Sequence, residues 1–394
     1  MKRIVGRGLI MLAGCVVALA ALEAALHVAF PHMRLLTRHE RLGSIPRPNM
    51  NGRTTFGGYE RVVHITTNSL GLRGPEIGPK PAGVRRVLAL GDSFTFGHAV
   101  EASEAWPAVL QELLDARGGP RYEVVNAGIG GYGTAQQLLL YDELQSRVEP
   151  DLVVLGFAVV NDVLDNLCVE AERYGAKADT PCFRLEGSRL TLTPPRPPME
   201  AARLASWPVP SQAIDLLMGQ AKRVTLWNPR VLAVAHSFGI QVRDTRFLPD
   251  TVAGWYDTRF TGVGWPLTQR LLLELRVHAG RRGAPLALLV IPSGLQVDPG
   301  LQRALATLAD GRPPILAFLR DPHRPQRILG DFCHGAGLPC ADPLPAALEA
   351  VTRGERHYYP IDGHWTPTAH RIAARLVLEQ LDRARLLATA DRRH

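Results

Sequence analysis

Short apolar runs alternating with stretches of helical period leave this chain of 394 residues few ways to fold. The runs lie at about 86–91, 122–127, 151–157 and 285–291, with a weaker one near 338–341. Helical spacing marks about 104–117, 134–147, 267–281, a segment near 298–308, and a last stretch from about 367 to 388. A strand that is apolar without alternation is buried on both faces, and parallel neighbours need helical crossovers between them. The pattern therefore predicts an α/β domain over 84–394 with a central parallel sheet covered on both sides. A segment at about 165–265, carrying Cys168, Cys182 and the run Pro194-Pro195-Arg196-Pro197-Pro198, interrupts the rhythm and is read as an insertion.

Residues 1–31 differ in kind from the rest. Lys2, Arg3 and Arg7 precede an apolar stretch from Gly8 to Phe30 interrupted only by Glu23 and His27, a length that fits one membrane span or a long export signal. Arg34, Arg38 and Arg41 nearly balance the leading cations, so charge alone does not orient it. Leu12-Ala13-Gly14-Cys15 is similar to a lipoprotein cleavage box, but mostly apolar residues follow where a polar tether belongs. Residues 32–83, rich in Pro, Gly and Arg, are expected to form a stalk with a small β element around 59–65.

The net charge of +8 is spread along the chain with no basic run interleaved with aromatics, which disfavours nucleic acid as a partner. The cysteines after Cys15 fall into two close pairs, Cys168 with Cys182 and Cys333 with Cys340, and none has zinc-site spacing. Behind an export-like segment, such pairs predict two disulfides in an oxidising compartment. That puts the body of the protein in the periplasm behind an inner-membrane anchor, with secretion or a lipoprotein as alternatives.

Gly91-Asp92-Ser93 follows the first apolar run directly, where a serine leaves a buried strand at the edge of the sheet. A hydroxyl attacks only when a base takes its proton, and the oxyanion that forms needs donors. Asn126-Ala127-Gly128-Ile129-Gly130-Gly131 after the second run offers close backbone N–H groups, and Val159-Val160-Asn161-Asp162 after the third offers a side-chain amide. Ile361-Asp362-Gly363-His364-Trp365 precedes the last helix and offers a base beside a carboxylate. Asp92 and Asp162 read as turn or cap residues, and His370 is a rival base. The glycine run also fits a dinucleotide loop, but the acidic residue expected at the end of the next strand is missing, and neither a Walker lysine nor an HExxH pattern occurs. Neither a cofactor nor a metal is expected.

These blocks, in this order, resemble the SGNH, or GDSL, hydrolase family over roughly 85–165 and 284–388. The resemblance implies a flavodoxin-like three-layer α/β/α fold. It implies Ser93 as nucleophile, His364 as general base and Asp362 as the group that orients and stabilises it. It implies an oxyanion hole made by the Ser93 and Gly131 N–H groups and the Asn161 amide. Two blocks depart from the family pattern. Asp362 and His364 are two residues apart instead of three, a form similar to proteins that acetylate bacterial exopolysaccharides, and a hydrogen bond between them requires a local bend because extended neighbours at i and i+2 lie about 6.5 Å apart. Val159 replaces the usual glycine before Asn161. The expected function is an extracytoplasmic serine esterase acting on acyl esters, O-acetyl esters of envelope carbohydrate in particular. The alternatives are an O-acyltransferase to polysaccharide hydroxyls and a silent glycan-binding protein.

Overall fold

Strands β1 (Val84–Gly91), β2 (Arg121–Gly128), β3 (Leu152–Ala158), β4 (Leu286–Ile291) and β5 (Cys340–Ala341) pair in parallel in the order β2-β1-β3-β4-β5. This computed structural model describes residues 2–29, 35–56, 61–167, 180–195, 247–360 and 362–387. The strand order reverses direction between β1 and β3, and in open α/β sheets the crevice beyond the strand ends at such a reversal is where ligands bind.

The sheet residues divide between two cores. Leu88, Leu90, Val153, Leu155, Leu286 and Leu288 face one side, where helices Thr134–Val148 and Thr258–Arg281 pack through Leu138, Leu144, Leu271 and Leu275. Val87, Ala89, Val154, Leu289 and Ile291 face the other, against Trp106 and Leu110 of helix Trp106–Arg117 and Ala373 and Val377 of helix Pro367–Arg383. Burying one such aliphatic side chain is worth roughly 1.5–3 kcal/mol, so the two faces outweigh the short pairing of β5 in holding the sheet. Cys333, near the end of helix Arg324–Ala336, is bonded to Cys340 in β5 and ties that edge down. Cys182 is disulfide-bonded as well; Cys168, expected as its partner, lies outside the described residues.

The expected strands are present with bounds moved by a residue or two, but several helices were not anticipated. Helix Thr258–Arg281 begins well before 267, capped by the Asp257 carboxylate on the Arg259 N–H at 3.0 Å, and runs through Pro266. Helices Pro313–Arg320, Arg324–Ala336 and Leu344–Thr352 fill what read as coil. Of the 165–265 segment, the described parts are the hairpin Cys182–Glu186 with Arg189–Thr193, helix Phe247–Tyr256 and the first turns of the next helix.

The stretch after the N-terminal segment is built into the domain. Its hairpin pairs Asn51–Phe56 with Arg61–Thr66, and the chain then delivers Arg73 into the interior. Lys2–Ala29 is one helix with Met11, Val16, Val17 and Leu19 exposed. Its side chains are described at 11, 13–26, 28 and 29, and among the described residues no helix is long and apolar enough to cross a membrane. The expected span is therefore not carried by the structure.

Candidate active site

Three strands make the seat for Ser93. Helix Ser93–Phe96 leaves β1 with the Asp92 carboxylate capping it at the Phe94 N–H, 2.9 Å away. It lies so close to the sheet that a methyl group on Gly91 or Gly156 would come within 2.1 and 2.4 Å of Thr95 Oγ1, and one on Gly128 within 2.2 Å of the Phe96 N. Glycine at the end of each strand is thus a packing requirement. Thr95 Oγ1 also accepts from the buried Trp106 indole at 3.3 Å.

Arg73 closes the seat from outside. Its guanidinium donates to the carbonyls of Phe96 at 3.0 Å, Gly97 at 2.6 Å and Val100 at 2.8 Å, and covers the Phe96 ring at 5.0 Å. Burial pulls this cation down to about 10, against the pull of Glu101 and Glu104, and it stays charged at neutral pH.

His364 arrives on a separate turn. The Tyr359 N–H reaches the His364 carbonyl at 2.8 Å and the Gly363 N–H the Tyr359 carbonyl at 2.9 Å, closing a loop before helix Pro367–Arg383. Gly363 has φ +79°, the left-handed bend that two-residue spacing demanded, and Asp362 Oδ1 turns back onto His364 Nδ1 in a short hydrogen bond. The opposite ring nitrogen, Nε2, lies 2.7 Å from Ser93 Oγ. With Nδ1 held by a carboxylate, Nε2 is the atom free to accept the serine proton. The Asp362 side chain is 7% exposed and that of His364 21%.

Electrostatics match the geometry. For Asp362, burial pushes the pKa up, but the His364 charge and hydrogen bonds outweigh it and hold the carboxyl low. For His364, burial pulls the pKa down, and Asp362, with Asp92 adding, overcomes it and holds the imidazole above its ordinary value. Asp92 is pushed up to about 6 by burial. His370 is not a competing base: it is buried, drawn down to about 3 by burial, and accepts the Trp106 backbone N–H at 3.2 Å.

The expected oxyanion donors converge on the same end of the sheet. A methyl group on Gly133 would meet Asn166 Oδ1 and Asp165 Cβ at 2.9 Å, so the glycine loop packs directly on the turn after β3, and the Ala135 N–H donates to Asn166 Oδ1 at 2.9 Å. Gly130 is near Ser93: a methyl group there would lie 3.8 Å from Ser93 Cβ. Among the described residues the N–H groups of Ser93 and Gly131 have no acceptor. Asn161 is partly engaged. Its Nδ2 donates to Asp165 Oδ2 at 2.7 Å, its Oδ1 is buried without a partner, and it borders the Asp92 carboxylate. The amide nitrogen carries two N–H groups, so the bond to Asp165 leaves the second for an oxyanion. Asp162 is a turn residue, accepting the Ala158 N–H at 3.1 Å.

The sequence reading missed Arg73, Asp165 and His98, which stands beside the pair with its ring 4.9 Å from that of His364. A cavity of about 530 Å³ between Arg303, Val351, His357 and Tyr358 contains none of the expected site residues.

The pattern of GDSL-like lipases and acylhydrolases matches residues 89–283. No curated protein matches the chain. Among solved structures, that of TesA is similar at 16% identity over 76% of this chain and 99% of its own, with a TM-score of 0.38. Esterase EstA from Pseudoalteromonas sp. is similar at 12% identity over 76% and 97%, TM-score 0.36. A two-domain esterase active on acetylated mannans is similar at 13% identity over 79% of this chain and 52% of that one, about half its length, TM-score 0.35.

Proposed function

Since the chain belongs, over residues 89–283, to the GDSL-like lipase/acylhydrolase family, we propose that it hydrolyses acyl esters with Ser93 as nucleophile. The observation that carries this reading is the relay from Asp362 through His364 Nε2 to Ser93 Oγ at 2.7 Å, set at the reversal of the strand order. Ser93 Oγ attacks the acyl carbonyl while His364 takes its proton, and Asp362 stabilises the imidazolium. The tetrahedral oxyanion falls to the N–H groups of Ser93 and Gly131, joined by the second N–H of the Asn161 amide; each such donor is worth about 2.7–4 kcal/mol of barrier. Collapse returns the proton from His364 to the leaving alcohol. Water, activated by the same imidazole, then releases the acid and frees Ser93.

The reading extends to O-acetyl esters of carbohydrate at the cell envelope, with transfer to a sugar hydroxyl in place of water as the variant of the same chemistry. The disulfide Cys333–Cys340 and the bonded state of Cys182 support an oxidising compartment, the periplasm. The apolar sequence from Gly8 to Phe30 supports attachment of the 84–394 domain to the inner membrane.

The test is acetate release from an activated aryl acetate by the full chain with its cysteines oxidised. The parent is expected to turn over and Ser93→Ala to lose on the order of 10⁶-fold in kcat. Activity that survives in the variant would sink the serine mechanism. Products analysed with a sugar acceptor present separate hydrolysis from transfer.

A further inference from the structure

His98 follows the nucleophile by five residues, and the reaction as described makes no use of it. Helix Ser93–Phe96 ends at Gly97, whose φ of +84° turns the chain back so that the His98 N–H returns to the Ser93 carbonyl at 3.0 Å. That turn brings the imidazole to the rim of the catalytic pair. Its ring centroid lies 4.4 Å from Phe56, 5.5 Å from Phe96 and 4.9 Å from His364. The glycine loop borders it too, since a methyl group on Gly130 would meet His98 Nε2 at 3.3 Å.

These neighbours fix the ring without satisfying it. Among the described residues neither ring nitrogen has a hydrogen-bond partner, and neither is sealed in as the buried nitrogens of His357 are. Burial, and next the His364 charge, draw His98 down to about 3, so the ring is neutral and offers one N–H and one lone pair. A polar ring held rigid by aromatic packing but left unpaired at a reaction centre is positioned for a group that the substrate brings.

We infer that His98 is a specificity-determining residue that hydrogen-bonds a hydroxyl of the alcohol half of the ester, beside the oxygen that His364 protonates. The inference rests on the hydrolase reading. His364 Nε2 must lie within about 3 Å of the leaving oxygen to protonate it. A hydroxyl on the neighbouring carbon then faces the edge of the His98 imidazole, which packs against that of His364 at a centroid separation of 4.9 Å. The substrate class this selects is the ester of a polyhydroxylated alcohol such as a sugar, in preference to a simple alkyl or aryl ester.

The experiment compares kcat/KM for an aryl acetate and for a monoacetylated sugar with its other hydroxyls free, using the full chain as parent, Ser93→Ala, His98→Phe and His98→Gln. His98→Phe keeps a packing ring without polar atoms and is expected to lose about tenfold more on the sugar ester than on the aryl ester, the value of one hydrogen bond. His98→Gln, whose amide still donates and accepts, is expected to recover part of that difference. Equal losses on both esters, or a sugar-ester loss that glutamine does not reduce, overturn the inference and leave the hydrolase reading intact. If His98→Phe does not fold, His98→Leu takes its place as the variant without polar atoms: a loss greater on the sugar ester that glutamine partly recovers supports the inference, and equal losses on both esters overturn it. A parent inert to both esters, or activity that survives Ser93→Ala, overturns the hydrolase reading itself, and shows as such before any His98 variant is compared.

Discussion

The two loops that meet at the Ser93–His364 hydrogen bond are held in opposite ways. The Ser93 loop is clamped by distant parts of the chain: glycines of three strands beneath it, the Trp106 indole beside it, and the Arg73 guanidinium on three of its carbonyls. The His364 loop is held by its own backbone, through the Tyr359, Gly363 and His364 hydrogen bonds and the bend at Gly363. The first is a consequence of tertiary packing and the second of local sequence. Changes to the first should therefore be felt by the whole fold, and changes to the second by the reaction alone.

The largest expected effect tests the local loop. Asp362→Asn removes the charge that stabilises the imidazolium and is expected to lower kcat by about 10³–10⁴-fold with little change in unfolding midpoint. Because Asp362 raises His364, activity in the parent should rise with pH through a limb above the ordinary histidine value, and the variant's limb should move to lower pH. A pH–rate profile of both proteins checks it; an unmoved limb would detach Asp362 from the base.

Arg73→Met tests the clamped loop. Carbonyls that share a charged donor lose bonds worth about 1.5–3 kcal/mol each when it goes, so urea unfolding should show a loss of about 3 kcal/mol or more with activity falling alongside it. A variant as stable as the parent would break the contrast between the loops. Gly363→Ala is expected to do the reverse. Space is open around Gly363, but an L side chain at φ +79° is strained by about 1–2 kcal/mol, so kcat/KM should drop about tenfold while stability falls by no more than that strain, less than for Arg73→Met.

The smallest effect belongs to Asp92. Its carboxyl is held at about 6 in the fold, above its unfolded value, so the native state binds its proton more tightly and loses stability as pH rises from about 4 to 6. Asp92→Asn should thus be more stable than the parent at pH 8, and the gain should close as pH falls below 4. Thermal unfolding across that range reads it.

Much of this was legible in the sequence. Runs such as Leu286–Ile291, apolar at every position, predict buried parallel strands, and Ser93, Asp362 and His364 stand in blocks whose chemistry constrains them. The missed helices share a cause: Pro313, Pro325 and Pro345 occupy first-turn positions, where proline starts a helix, in segments whose proline content reads as coil. The Asn161–Asp165 hydrogen bond spans only four residues, a helical spacing that the sequence reading passed over, whereas Arg73 is one arginine in a Pro/Gly-rich stretch. The Arg73 contacts have no periodic or spaced signature, because they join separate segments brought together only by packing.

The Arg73 clamp also says where the smallest working version of this protein can begin. The family pattern starts at residue 89, downstream of Arg73, yet the cation that holds the far side of the nucleophile helix comes from before that boundary. A chain trimmed at its amino end to the pattern's first residue would keep Ser93, Asp362 and His364 and lose the brace on one of them. The functional unit is thus longer at its amino end than the unit that sequence comparison delimits, and the leading segment travels with the active site as part of it.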